Sequence, residues 1–330
     1  MKRKVTLILG LAILLGLLWW AGIGETMDIL KGAQPSYFLL AAGMQAIALL
    51  AWAVRWRTFL RRAGVHVDFL RVLEGVMIGI FVNNLTPGAR TGGEPAKAYF
   101  ISKRSNGSYP QVFATVMADR VLDVIPVVVF MFLAFNYALK LRIGLLLTVL
   151  IVSIVLIIIA LSLTLAFSVH EGAAVRLLMF IARLVKRISP AKLSEADDVI
   201  EGKLRRAISE FKRTLRELGK DKGGLIISLL WSFTLWSASV LRTYFVFLSI
   251  GYEVPLAYVL LVQMAAMAIA MMSVIPGGLG VNEAVLSALF LALGIEKSIA
   301  VSATILDRLI SFWIPTLIGG VLTLRQGAPH

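Results

Sequence analysis

The sequence contains no cysteine and only three histidines in 330 residues. Without cysteine there is no disulfide, thiolate nucleophile or Cys-ligated metal. His66, His170 and His330 are scattered and no H-E-x-x-H run occurs, so the pattern predicts no metal site. The stretch GARTGGEPAK is rich in glycine but lacks the Gly-Lys-Ser/Thr ending of a phosphate-binding loop. No Ser/His/Asp order stands out. Neither catalysis nor a cofactor is expected.

Charge is scarce as well, at 16% of residues, while 59% are hydrophobic and mean hydropathy is +0.87. These values predict an all-α polytopic membrane protein, solvated by lipid rather than built around a water-excluding core. The charges that remain are unbalanced: net +14, with a pI near 10.2. In an apolar chain this points to anionic lipid and the positive-inside rule, not to nucleic acid.

Apolar segments near 5–24, 36–56, 112–135, 143–168, 223–250 and 299–323 each have the roughly 20 residues that a span needs. About six full transmembrane helices are therefore expected. The first has a basic start like a signal peptide, but lacks an A-x-A site and is read as a retained span. With the N-terminus cytoplasmic, of the 33 Lys and Arg only Lys31, Lys140, Arg142 and Lys297 fall outside. Arg90, Arg120, Arg242 and Arg308 fall within membrane segments. With six full spans this bias puts both termini in the cytoplasm. The expected location is the cell (plasma) membrane.

Two further apolar regions, 69–104 and 257–293, are interrupted by Pro and Gly. Their breaks read NNLTPGARTGGEPAKAYF at 83–100 and SVIPGGLGVNEAV at 273–285. Pro87 and Glu94 are seven apart, as are Pro276 and Glu283. Asp119-Arg120 and Asp307-Arg308 follow at closely similar distances, then Pro126 and Pro315. Upstream, Arg57-Thr58-Phe59 parallels Arg242-Thr243-Tyr244. The expected organisation is an N-terminal span and external loop (1–35), a first repeat (36–135), a connecting span (136–170), a linker (171–222), a second repeat (223–325) and a tail (326–330). The two repeats enter from opposite faces, so they are inverted copies with re-entrant hairpins, a recurring transporter design.

Irregular backbone at membrane depth must be buried in protein or line a wet cavity. The tips, Pro87, Gly88, Gly92 and Gly93 in one hairpin and Pro276, Gly277, Gly278 and Gly280 in the other, would lie near mid-membrane. Pro95 would start the returning half-helix, and Glu94 and Glu283 would sit at half-helix N-termini. Arg120 and Arg308 approach the bilayer centre, where an unpaired charge costs several kcal/mol. Two readings of Glu94–Arg120 and Glu283–Arg308 stand side by side. They are buried structural ties, or the arginines hold a phosphate that the glutamates exchange with. Asp119, Asp123 and Asp307 are the other carboxylates. Arg90, Asn83, Asn84 and Asn282 are secondary candidates at the tips. Asn84-Leu85-Thr86 fits a glycosylation sequon, but at a depth that argues against modification.

The linker 171–222 carries 13 basic and 8 acidic residues. Leu204, Ile208, Phe211, Leu215 and Leu218 recur at helical spacing, and Ser189-Pro190 divides it into two helices. It reads as a cytoplasmic amphipathic linker with its basic face on anionic headgroups.

The pattern N-N-L-T-P-G…G-G-E-P…A-D-R-V-L-D at 83–123, with S-V-I-P-G-G-L-G-V-N-E at 273–283 and L-D-R at 306–308, resembles the lysylphosphatidylglycerol synthase transmembrane, or flippase-like, family. The resemblance covers about 36–325. It implies a membrane region that moves aminoacylated phospholipid between leaflets. Ending at 330, the chain leaves no length for a domain transferring lysine from tRNA to lipid, so synthase activity is not expected. Relatives of this region accompany membrane glycosyltransferases, which extends the expected lipid partner from phospholipid to polyprenyl lipid. The alternative is a non-transporting module that anchors or assists a separate lipid-modifying enzyme. A second copy of the chain is the other protein partner left open. An ion channel ranks third, because nothing resembles a selectivity filter.

Overall fold

A computed structural model of the chain describes residues 2–86, 92–141, 144, 147–155, 158–159, 197–272 and 275–327. Among these the regular elements are all helical. Helix α1 (Lys2–Ala21) meets α2 (Ile23–Lys31) at a bend of 86°, made at Gly22 with its φ of 93°. What reads in sequence as an external loop after the first span is thus largely helix. Helix α3 (Pro35–Arg62) opens with Pro in its first turn, where the missing N–H has no intrahelical role.

Two short helices follow, α4 (Phe69–Leu85) and α5 (Gly93–Ser102). They pack antiparallel: a side chain at Gly75 would meet Ile101, and one at Gly79 would meet Gly93 and Lys97. At 17 residues α4 is about 25 Å long, at 1.5 Å per residue. Helix α5 begins at Gly93 rather than Pro95, which falls in the first turn. Helix α6 (Tyr109–Leu141) then runs unbroken through Pro126. The predicted span 143–168 falls largely outside the described residues, although 147–155 is helical and Ser153 is buried.

Helix α7 (Asp197–Lys220) carries the predicted amphipathic pattern. Its apolar face lies on α6: Phe211 packs against Phe113 at 6.0 Å between ring centroids, Ile208 and Leu218 are buried, and Ser108 donates to Glu210 at 2.7 Å. The first part of that linker, including Ser189-Pro190, lies outside the described residues.

Helix α8 (Lys222–Ser249) is capped by Asp221, whose carboxylate accepts from the Gly224 N–H at 3.1 Å. Helices α9 (Leu256–Met272) and α10 (Val281–Ala292) form a second hairpin around a single 3₁₀ turn, Pro276–Gly278. Gly277 and Gly278 have φ of 62° and 64°, values that disfavour any side chain. Helix α11 (Lys297–Arg308), a π turn (Leu309–Trp313) and α12 (Ile314–Gly327) complete the chain.

Among the described residues four stretches are long and apolar enough to cross a membrane: 35–62, 109–141, 222–249 and 297–325. The bent α1–α2 pair would make a fifth. Their outward faces carry exposed Leu39, Ile47, Ile125, Phe132, Leu230, Leu317 and Val321, as lipid contact requires.

The helix contacts come in matched sets. Helices α3 and α8, each leading its half, pack along one another. Helix α4 packs on α5 as α9 packs on α10. Helix α4 also packs on α12, as α9 packs on α6. The α4–α12 contact is close enough that a side chain at Gly319 would strike the Met77 carbonyl.

Candidate functional site

The charged residues of the span interiors converge on two clusters flanking one cavity. In the first half, α3 supplies Arg55, α5 supplies Glu94 and Lys97, and α6 supplies Asp119, Arg120 and Asp123. The Arg55 Nε donates to Asp119 Oδ1 at 2.6 Å, and its Nη groups hold Asp123. Both Arg55 and Asp119 are fully buried. Trp52 donates its indole N–H to the other Asp119 oxygen at 2.9 Å.

Glu94 sits between two cations. Its Oε1 lies 2.6 Å from Arg120 Nη2, and its Oε2 lies 2.9 Å from Lys97 Nζ. Lys97 also stands 4.9 Å from the ring centroids of both Trp52 and Trp56. Arg120 is the exposed member, with 37% of its side chain accessible, over the Trp52 ring at 4.8 Å.

The second cluster is smaller. Arg242 of α8 grips Asp307 through Nε at 2.8 Å and Nη2 at 3.2 Å, and donates from Nη1 to Gln45 at 2.7 Å. Thr243 donates to the same carboxylate at 2.6 Å. Arg308 donates from Nε to Glu283 Oε1 at 2.8 Å and from Nη2 to the Gly277 carbonyl at 3.2 Å. Its guanidinium lies 4.0 Å from the Phe312 ring centroid.

Between the clusters lies a cavity of about 740 Å³. Glu94, Arg120, Asp123, Arg242 and Arg308 line it, with Trp52, Trp236, Asn83 and Asn84. A second cavity of about 230 Å³ adjoins it, reaching Asn282, Asp307 and Gln263. Both include Trp236, Ser239, Arg242 and Arg308 in their walls. Three arginines on a wall that also carries Glu94 and Asp123 can hold an anion with several oxygens, because each planar fork binds two of them. The aromatic and aliphatic lining admits apolar chain beside it.

The sequence-predicted residues fall into three groups. Glu94, Arg120, Asp123 and Arg308 face the larger cavity with Asn83 and Asn84. Asp119 and Glu283 lie behind it, buried as partners of arginines. The tips serve mainly internal bonds: the Gly93 N–H donates to Asn83 Oδ1 at 2.7 Å, Asn84 donates to Thr316 at 2.6 Å, and Asn282 donates to the Gly277 carbonyl at 3.4 Å. Gly92 caps α5 and Gly280 precedes α10. Pro87, Gly88 and Arg90 lie outside the described residues.

Sequence reasoning missed Arg55 and Lys97, which the positive-inside count assigns to cytoplasmic segments. It also aligned Arg57 with Arg242, whereas Arg55 makes the matching ion pair and Arg57 lies over Phe69. The signal was present: Arg55 and Asp119 are 64 apart, Arg242 and Asp307 are 65 apart.

The model of one family, described as the lysylphosphatidylglycerol synthase TM region, matches residues 7–319. The chain belongs to that family. It is an integral membrane protein. A UPF0104 membrane protein of Pyrococcus horikoshii is 54% identical over 99% of this chain and 98% of its own length. Another, from Methanothermobacter thermautotrophicus, is 33% identical over 96% of this chain and 94% of its own. Glycosyltransferase AglD of Haloferax volcanii is 24% identical over 97% of this chain, which corresponds to 54% of AglD.

Proposed function

We propose that the protein is a lipid transporter, flippase- or scramblase-like, that moves a phosphate-bearing lipid headgroup between leaflets while the acyl or prenyl chains stay in the bilayer. One observation carries this reading: a cavity of about 740 Å³ walled by Arg120, Arg242 and Arg308 within a body whose outer faces are apolar. A charged wall at membrane depth is costly to maintain, and such residues mark ion or substrate pathways.

The matched helix contacts support reading 36–135 and 223–325 as inverted repeats, with the site at their interface. The basic distribution supports both termini in the cytoplasm, with the cell (plasma) membrane as the proposed location. The headgroup phosphate would take the arginine forks. No reacting group is assigned, and the role is non-enzymatic.

A second reading has its own support. A region similar to 97% of the chain makes up 54% of a glycosyltransferase. A non-transporting module that assists a separate lipid-modifying enzyme fits that relation, with α7 as its docking helix.

Leaflet exchange in proteoliposomes separates the two. Labelled phospholipids and a labelled polyprenyl phosphate are followed with wild type, Glu94→Gln and Arg308→Ala. Transport predicts exchange faster than in empty vesicles and slower in both variants. Wild type no faster than empty vesicles would favour the accessory role, and full activity in both folded variants would remove the site assignment.

A further inference from the structure

The two Glu–Arg pairs are alike in sequence and unlike in surroundings. In the first pair both members face the cavity, with 13% of Glu94 and 37% of Arg120 accessible. In the second only Arg308 does, and Glu283 is 2% accessible. The decisive difference lies one turn further along. Three residues after Glu94 stands Lys97, with 1% of its side chain accessible and its Nζ 2.9 Å from Glu94 Oε2. Three residues after Glu283 stands Leu286. Among the described residues Arg308 is the cation paired with Glu283. The second oxygen of each glutamate makes no hydrogen bond, but that of Glu94 has the Lys97 charge beside it.

A buried carboxylate cannot release its only cation without a large desolvation cost. Glu283 is therefore tied to Arg308. Glu94 is not tied to Arg120 in this way, because Lys97 remains when Arg120 leaves. The neighbouring carboxylates are also provided for: Arg55 holds Asp119 and Asp123. Lys97 also stands 3.8 Å from Asp119. In the first cluster Arg120 is the one cation open to the cavity, 37% accessible against 0% for Arg55 and 1% for Lys97, and its partner Glu94 has a second, enclosed cation.

We infer that Lys97 is a positioning residue that makes the Glu94–Arg120 pair exchangeable, so that a headgroup phosphate binds Arg120 by displacing Glu94 while Lys97 retains the glutamate. Lys97 does not line the cavity and does not touch the lipid. The pair in the second half stays closed and presents Arg308 as a fixed charge. The inference rests on the lipid-transport reading and assigns its two arginines different tasks.

The test is equilibrium binding to the full-length protein in detergent, by calorimetry, with two probes: dihexanoylphosphatidylglycerol below its micellar concentration, and inorganic phosphate. Lys97→Met leaves Arg120 as the sole partner of Glu94, so affinity should fall at least about tenfold, the factor given by ~1.4 kcal/mol. Glu94→Gln removes the closest carboxylate of Arg120 and leaves Asp123 at 3.6 Å, so affinity should rise above wild type while leaflet exchange slows, because release becomes harder. The double variant Glu94→Gln/Lys97→Met should bind at least as well as wild type. A Lys97 that only supports folding would leave the affinity of folded protein unchanged, and that result overturns the inference. So does a double variant no better than Lys97→Met. If Lys97→Met does not purify folded, Glu94→Gln decides alone: binding equal to or weaker than wild type refutes the exchange. The lipid probe binding without inorganic phosphate identifies a headgroup site, and the reverse identifies a free-anion site; the Lys97 dependence is read with whichever binds. Loss of transport with these affinities intact removes the transport reading only.

Discussion

Arg55 Nε and Asp119 Oδ1 are 2.6 Å apart with both side chains fully buried, the deepest ion pair linking α3 to α6. The same guanidinium holds Asp123 one turn along, and Ser232 of α8 accepts from it at 2.6 Å. One side chain thus ties three helices that would otherwise meet through apolar surfaces no stickier than lipid. In membranes that polar contact supplies orientation as well as energy.

Arg55→Leu leaves two carboxylates short of their cation. Breaking a buried pair costs about 3–5 kcal/mol. Thermal unfolding in detergent should show a large drop in midpoint. Arg55→Lys should recover only part of it, since an ammonium cannot span both carboxylates as the fork does. Arg57→Leu, two residues on and stacked over Phe69, serves as the control and should shift the midpoint little. Equal shifts from Arg55 and Arg57 would contradict the pairing.

The all-helical membrane fold was legible because apolar length and hydropathy report span formation almost directly. The hairpins were legible because Pro and Gly interrupt apolar runs at matched spacing. Arg55 and Lys97 were not, because a basic residue near a span end reads the same whether it snorkels to headgroups or turns inward to Asp119 and Glu94. The bend at Gly22 was also hidden: Ile23–Lys31 is helical yet follows a glycine whose φ of 93° no pattern of hydropathy encodes. The cavity depends on which side chains face one another across α3, α6 and α8. Spacing within one helix does not contain that information.

Gly93 is a second place where packing leaves no freedom. A Cβ there would collide with the Gly79 carbonyl and the Asn83 side chain. Gly93→Ala should therefore force α4 and α5 apart, at a cost of about 1–3 kcal/mol for an overpacked contact. Gly43 of α3 has open space around its Cα. Gly43→Ala should leave stability unchanged or raise it by about 0.5–1 kcal/mol, the helix preference for alanine. The comparison is read as thermal midpoints of the two variants side by side. A neutral Gly93→Ala would mean the hairpin is looser than its contacts indicate.

The absence of cysteine makes orientation directly measurable, since an introduced thiol has no background. Lys103 lies in the exposed turn after α5, and Lys297 starts α11 with its Nζ 3.4 Å from the Trp20 carbonyl. With both termini cytoplasmic, Lys103→Cys should react with an impermeant maleimide only after the cytoplasmic face is opened. Lys297→Cys should react in intact cells. The reverse labelling pattern would invert the topology and move α7 outside.

Arg308 combines the two roles that the first half divides between Arg55 and Arg120. It neutralises buried Glu283 at 2.8 Å and it lines the cavity. Removing it alone should fail on both counts: Arg308→Met leaves Glu283 an uncompensated buried charge, worth about 3–5 kcal/mol of stability. Removing both charges separates the roles. Glu283→Gln/Arg308→Met has no unpaired group of either sign, and replacing an ion pair by uncharged side chains is often close to neutral. The double variant should regain most of the wild-type thermal midpoint while leaflet exchange stays low, because the cavity still lacks the third arginine. Recovery of stability and exchange together would make the pair a structural tie only. Recovery of neither would mean that Arg308 stabilises the fold through the Gly277 carbonyl and the Phe312 ring, contacts that survive no substitution at this position.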